Sequence, residues 1–306
     1  MTQTHTLSDK VVAVTGAGRG IGREIALLCA REGAAVVVND YGGSLSGEGK
    51  DSGPASEVVE EIVAAGGRAC ANYGNVADAD DAEKIITDAV TNFGRIDGVV
   101  NNAGVSRDKI FHKMAHADWD AVVNVHLRGS FNVSRAAAPY FREQGGGSFV
   151  HITSTSGLIG NVGQSNYSSA KMALLGLSNS IALDMQRYGV RSNCVAPFAW
   201  SRMTDSIPTE TEAEKERVQR LQDMTAAKVA PLIAFLCSDE ANEVNGQIFC
   251  VRKNEVFLFS RPQPVRSVHR SEGWTPDSIA RELLPALKPS FYPLQVSADV
   301  FAWDPV

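Results

Sequence analysis

The chain has 306 residues, 44% hydrophobic and 21% charged, an ordinary globular composition with room for one large domain and an addition. Its formal net charge of −6 offers no basic surface, so nucleic acid is not an expected partner. The first ten residues lack a basic patch followed by an apolar core, and no run approaches the roughly 18 apolar residues of a membrane helix, so neither leader nor membrane span is expected.

Short apolar runs then alternate with amphipathic segments. Val11–Thr15 reads as a strand, Ile21–Arg31 as a helix, Ala34–Asn39 as a fully apolar second strand, Val58–Ala65 as a helix and Arg68–Tyr73 as a third strand. A helix over Ala79–Phe93, a short strand at Gly98–Val100 and one long helix over Ala117–Gln144 follow. Ser148–Thr153 reads as a strand, Ser165–Arg187 as a long helix, Arg191–Ala196 as a strand, Val229–Leu236 as a helix and Gln247–Val251 as the last strand. This βαβ rhythm predicts an α/β, Rossmann-like, doubly wound parallel sheet: one domain over 8–251 with a C-terminal extension over 252–306. The Gly/Ser-rich stretch 42–53 reads as a flexible insertion.

Between the first strand and its helix lies Thr15-Gly16-Ala17-Gly18-Arg19-Gly20-Ile21-Gly22. Glycines at this place let backbone N–H groups approach a pyrophosphate that a Cβ would fend off. Asp40, eighteen residues beyond Gly22, follows the second strand. A carboxylate there accepts from the adenosine ribose hydroxyls and repels a 2′-phosphate, which favours NAD over NADP. Arg19 pulls the other way, because a cation in the turn helps to hold a 2′-phosphate; direct repulsion at Asp40 is weighted above it.

Tyr167 and Lys171 are four residues apart on a predicted helix, hence on one face. Phenol is a poor base, with a pKa of roughly 10, and a neighbouring ammonium lowers that value. Oxidation of an alcohol needs such a base while hydride leaves. Ser154 ends a strand thirteen residues earlier, across a turn containing Gly157, Gly160 and Gly163, and its hydroxyl can hydrogen-bond the reacting oxygen; spacing alone does not choose between it, Thr153 and Ser156.

The glycine turn at 15–22, Asn101-Asn102-Ala103-Gly104, Ser154 and the Tyr167/Lys171 pair together resemble the short-chain dehydrogenase/reductases over roughly residues 8–250. The resemblance implies a seven-stranded parallel sheet. It implies Ser154, Tyr167 and Lys171 as the catalytic triad, and Asn124 as a fourth member holding a water on a proton exit path. Cofactor contacts are implied for Gly16, Arg19, Gly20, Ile21, Gly22 and Asp40, for Asn102 and Val76 near adenosine, for their neighbours Asn75, Ala103 and Gly104, for Tyr167 and Lys171, and for Pro197 and its successors near the carboxamide. The segments 124–131, 160–167, 174–179 and 201–204, with the insertion, are similar to the dehydrogenase part of peroxisomal multifunctional enzyme type 2 and its bacterial stand-alone relatives. That implies a (3R)-hydroxyacyl-CoA or a 17β-hydroxysteroid as substrate, in lipid metabolism or steroid degradation, and the stand-alone form of the enzyme.

Two departures bear on substrate choice. Bulky Phe198 and Trp200 follow Pro197, placed either to narrow the pocket or stack on a flat substrate, or to pack under the next loop. The segment 252–270 carries Arg252, Lys253, Arg261, Arg266 and Arg270 against Glu255, as a receiver of coenzyme A phosphates or as an arm to an acidic neighbouring subunit. Surplus apolar residues on the 165–187 helix predict a homodimer or homotetramer. Cysteines at 29, 70, 194, 237 and 250 and histidines at 112, 116, 126 and 151 show no ligand spacing, so no metal is expected. A reducing cytoplasm is the simplest compartment for such cysteines, and the final Asp304-Pro305-Val306 is no peroxisomal address. The alternatives are an NAD-binding sensor or scaffold without turnover, and a short-chain reductase acting on another carbonyl.

Overall fold

The computed structural model describes residues 6–199, 211, 215, 218–219 and 221–306. Its centre follows from runs too apolar to face water on either side. β1 (Val11–Thr15), β2 (Ala35–Asn39) and β4 (Gly98–Asn101) are buried throughout, with β3 (Arg68–Asn72) at one edge. Alternation sends Val12, Val14, Val36 and Val38 to one face, and Val11, Ala13, Ala35 and Val37 to the other. The first face is covered by α1 (Gly20–Arg31), α2 (Gly53–Ala64) and, later in the chain, α8 (Ala230–Cys237). The second is covered by α3 (Ala79–Phe93), α5 (Gly129–Gln144) and α7 (Ser165–Met185). Ile25 and Ile233 on the first face, and Ile85 and Phe141 on the second, are fully buried, each worth roughly 1.5–3 kcal/mol of burial.

β5 (Gly147–Ile152), β6 (Val190–Phe198), β7 (Ile248–Arg252) and β8 (Glu255–Leu258) complete the sheet. Among the described residues its order is β3-β2-β1-β4-β5-β6-β7-β8, parallel up to β7. The order reverses between β1 and β4, so their carboxyl ends open the crevice where such sheets bind ligands.

Four expectations change. The sheet has an eighth strand: β8 pairs antiparallel with β7 through a two-residue turn at Lys253-Asn254, with Lys253 in the left-handed region at φ 57°. The start of the extension therefore belongs to the sheet. The rest folds back, placing Phe301 against Phe198, Phe257 and Phe259. Four of the five cations in 252–270 have internal partners: Arg252 with Glu255 and Trp303 O, Lys253 with Asp223, Arg261 with Gly246 O, and Arg270 with Glu272 and Glu282.

The insertion is not a loose loop, because Leu45 O accepts from Ser106 N and Ser46 O accepts from Arg107 Nε, both at 2.9 Å. The helix after it starts at Gly53 rather than Val58, with Pro54 in the first turn, where its missing N–H costs nothing. The long helix expected over 117–144 is interrupted. α4 (His116–Val123) passes into a π turn, Asn124–Arg128, before α5 begins. Such single turns insert one extra residue and re-aim the side chains near them. Among the described residues no helix is long and apolar enough to cross a membrane, and no group of His, Cys, Asp or Glu could hold a metal.

Candidate active site

Thr15 ends β1 with its hydroxyl facing β4, where Oγ1 accepts from Asn102 N at 3.0 Å and from Ala103 N at 3.1 Å. Asn102 replies with Nδ2, donating to Thr15 O and Gly16 O, both at 3.0 Å. The two loops at the crevice are thus locked to each other through two side chains, one from each. Gly16 and Gly20 adopt φ of 62° and 54°, and a Cβ on Gly22 would lie 2.2 Å from Gly16 O. That approach is closed to any other residue. Asp40, at the end of β2, accepts from Gly18 N at 2.8 Å and from Gly42 N at 2.7 Å. Arg19 points toward Asp51 of the insertion at 3.8 Å.

A cavity of about 560 Å³ runs from this turn to β5 and α7. Of the residues singled out in the sequence, it is lined by Gly16, Arg19, Ile21 and Asp40, by Asn75, Val76, Asn102, Ala103 and Gly104, and by Ser154, Tyr167, Lys171 and Pro197. Gly20 and Gly22 shape the turn behind it. Asn124 does not line it; it opens the π turn, whose next residues Val125 and His126 do. Phe198 lines the cavity and packs on Phe301 of the extension at 5.0 Å between ring centres. Trp200 and the segment 201–204 lie outside the described residues.

Three hydroxyls compete near Tyr167. Thr153 donates to Lys171 O at 2.7 Å, and Ser156 donates to Gln164 Oε1 at 2.8 Å, so both protons are spent within the protein. Ser154 accepts from Ser156 N at 3.1 Å as the cap of α6 (Thr155–Leu158) and is hydrogen-bonded with the Tyr167 phenol, which makes it the hydroxyl of the three that shares the reacting position. Lys171 is buried, donates to Ile152 O at 2.5 Å, and has Nζ 5.5 Å from the centre of the Tyr167 ring. Burial lowers its pKa to about 7. Burial also pushes the Tyr167 phenol above its ordinary value, more than hydrogen bonding with Ser154 lowers it, with Asp108 adding a further upward push. The spacing of Tyr167 and Lys171 suggests the opposite direction; desolvation, which spacing does not reveal, is the largest contribution here.

His126 was not singled out. Its ring stands edge-on to Tyr167 at 5.2 Å, and its Nε2 lies 3.1 Å from Val105 N and 2.8 Å from Val105 O. A Cβ on Gly104 would come within 2.4 Å of its Cε1, so the glycine makes room for the imidazole. His151, beneath Lys171 in β5, meets Asn101 at 3.2 Å. Burial, then the Lys171 charge, lowers both histidines to about 3 from the ordinary 6.5. The unfolded chain therefore binds protons that the folded chain refuses, so this stability is present above about pH 6.5 and drains as pH falls toward 3. Each histidine costs about 1.4 kcal/mol per pH unit in that window. Urea unfolding at pH 7.5 and 5.5 is expected to differ by about 2–3 kcal/mol; equal midpoints would show that the imidazoles are not held neutral.

Comparison with known proteins agrees with this geometry. The family model described as short chain dehydrogenase matches residues 10–214. The chain is 49% identical over 251 residues to a short-chain type dehydrogenase/reductase of Mycobacterium tuberculosis, covering 82% of this chain and 84% of that one. It is 40% identical over 296 residues to the hydroxyacyl-CoA dehydrogenase ChsB1 of the same organism, covering 92% and 90%. It is 45% identical over 240 residues to peroxisomal multifunctional enzyme type 2 of Mus musculus, covering 78% of this chain but 31% of the mouse protein. A crystal structure of a short chain dehydrogenase from Mycobacterium avium superposes with a TM-score of 0.83 at 39% identity, covering 95% of this chain and 99% of that one. With a glycine turn, an Asn-Asn-Ala-Gly loop and a Tyr–Lys helix around one cleft, the chain belongs to the short-chain dehydrogenase family.

Proposed function

We propose that the protein is an NAD(H)-dependent oxidoreductase that interconverts a secondary alcohol and its ketone, with Tyr167 as the acid–base group. One observation carries this reading: a single cavity has the glycine turn and Asp40 among its walls together with Ser154, Tyr167 and Lys171. The turn suits a pyrophosphate because a Cβ on Gly16 would lie 2.8 Å from Ala103 Cα, so only bare backbone leaves the space. A bound nicotinamide supplies the acceptor for hydride. Tyr167 takes the hydroxyl proton, Ser154 donates to the reacting oxygen, and Lys171 holds the nicotinamide ribose. Asn124, at the head of the π turn that packs on α7, serves the proton exit that the family implies.

NAD is preferred over NADP because Asp40 brings a carboxylate to the ribose end and Arg19 is turned toward Asp51. Replacing Asp40 by Asn is expected to shift the NAD to NADP ratio of kcat/KM by at least about tenfold toward NADP, the scale of one charge-assisted hydrogen bond. An unchanged ratio would remove Asp40 from the specificity account.

The substrate we favour is a (3R)-hydroxyacyl-CoA thioester, supported by the likeness to a hydroxyacyl-CoA dehydrogenase over 92% of the chain. A 17β-hydroxysteroid is the second reading, favoured by the flat Phe198 ring in the cavity wall. Phe301 behind Phe198 supports a role for the extension at the substrate cleft. Comparing kcat/KM for the two substrates with NAD decides between them: a large preference for the thioester supports the first reading, and the reverse overturns it. We place the enzyme in the cytoplasm, in keeping with five free thiols. As a homodimer or homotetramer it would bury exposed Met172 and Leu183 of α7.

A further inference from the structure

The insertion starts and finishes at one point. Asp51 N donates to Tyr41 O at 3.3 Å, and a Cβ on Gly42, at φ 75°, would lie 1.7 Å from Asp51 O. Between these ends the chain doubles back, with Ser44 N donating to Glu48 O at 2.8 Å and Gly47 N to Ser44 O at 2.9 Å. It is a closed strap of the compact-loop kind. Ser44, Leu45 and Gly47 on its inner edge line the same cavity as Asp40.

The strap reaches across the cleft to the loop after β4, and the fastening there is Arg107. Its Nε donates to Ser46 O at 2.9 Å, and its guanidinium lies 4.0 Å from Glu48 and 3.7 Å from Asp118. The side chain is only 25% exposed, so these contacts are partly shielded from water. The backbone of the same residue serves the opposite side. Arg107 O accepts from Asn166 Nδ2 at 3.0 Å, and buried Asn166 accepts from Tyr167 N through Oδ1 at 2.8 Å. One residue therefore holds both the strap and the first turn of the helix that carries Tyr167.

We infer that Arg107 is a positioning residue that fastens the strap 42–53 over the adenosine end of the bound dinucleotide and couples that closure to the seat of Tyr167. The inference rests on the cleft being an NAD(H) site. If the cofactor binds the fastened strap better than the open one, occupancy and fastening favour each other equally, as linkage requires. Lysine cannot replace the fork, because a single ammonium lacks the planar array that meets a carbonyl and two carboxylates together.

Lys50, exposed in the strap, provides the readout as a site for trypsin. In the wild-type protein NADH is expected to slow cleavage after Lys50. In Arg107→Ala that protection is expected to disappear and the NADH dissociation constant to rise about tenfold, with Arg107→Lys recovering less than half of the loss on a free-energy scale. Gly47→Val tests the same fastening away from Asn166, since Gly47 has φ 84° and its Cβ would press on Val105 at 3.0 Å. It too should lose protection at Lys50, which keeps the test decisive if Arg107→Ala does not fold. NADH binding and Lys50 protection unchanged in the folded variants would overturn the strap alone. Failure of the wild-type protein to bind NADH would instead sink the reading of the cleft, and the strap with it.

Discussion

Replacing Tyr167 with phenylalanine is expected to lower kcat by about a thousandfold, within the 10²–10⁴ range of acid–base catalysis, while NADH still binds. Only a hydroxyl is removed. The ring keeps its edge contact with His126, and the Tyr167 N bond to Asn166 is a backbone bond that any residue makes. Because burial holds the phenol above its ordinary value, the phenolate needed for oxidation becomes more abundant as pH rises, so oxidation should speed up and ketone reduction slow down. Tyr167→Phe should show neither limb. Two other groups are near enough to substitute as the base, and their environments separate them. His126, held near 3, is neutral at working pH but too weak to take the proton. Lys171, lowered to about 7 by burial, is the credible rival. If Tyr167→Phe kept a tenth of the wild-type rate and Lys171→Met abolished it, lysine would be the base.

Gly22→Ala should show the second largest effect, and by a different mechanism. A single methyl group there would stand 2.2 Å from Gly16 O and 2.5 Å from Asn102 Nδ2, the two partners that lock the crevice loops together. Neither can retreat without breaking the β1–β4 junction, so a loss of about 2–3 kcal/mol is expected from overpacking, together with loss of cofactor binding. Gly20→Ala is the control. Its Cβ would meet nothing within 4 Å, and only the left-handed φ of 54° is strained, at about 1–2 kcal/mol. Urea midpoints and NADH titration of both variants test the contrast. Equal NADH affinities would show that close backbone approach at Gly22 does not govern the turn.

Legibility followed the range of the interactions concerned. β1 at Val11–Thr15 and α3 at Ala79–Phe93 have the bounds expected from the sequence, because burial on both faces or along one stripe leaves a periodic trace. The residues of the cleft were readable as a set because their spacings are local: a turn of eight residues, a pair four apart on a helix. The order of the strap was not. Its fastening uses carbonyls of Leu45 and Ser46, which any composition provides, and partners at 106 and 107 some sixty residues away. The π turn was equally hidden, since one extra residue in a helix leaves no mark in an apolar pattern. β8 was missed because it is short and half exposed, with a turn at Lys253-Asn254 that lacks glycine. The direction of the Tyr167 shift depends on burial by segments distant in the chain, which the four-residue spacing to Lys171 does not carry.

An enzyme must turn over an alcohol in this cleft, not merely hold a dinucleotide there. The direct measurement is incubation of the purified protein with NAD and a panel of secondary alcohols that includes a (3R)-hydroxyacyl-CoA and a 17β-hydroxysteroid, following the absorbance of reduced nicotinamide alongside NADH binding by titration. NADH binding is expected, with reduction of NAD by at least one alcohol, and that reduction is lost in Tyr167→Phe. NADH bound tightly, with no alcohol oxidised and no ketone reduced, would contradict that expectation and identify a sensor or scaffold.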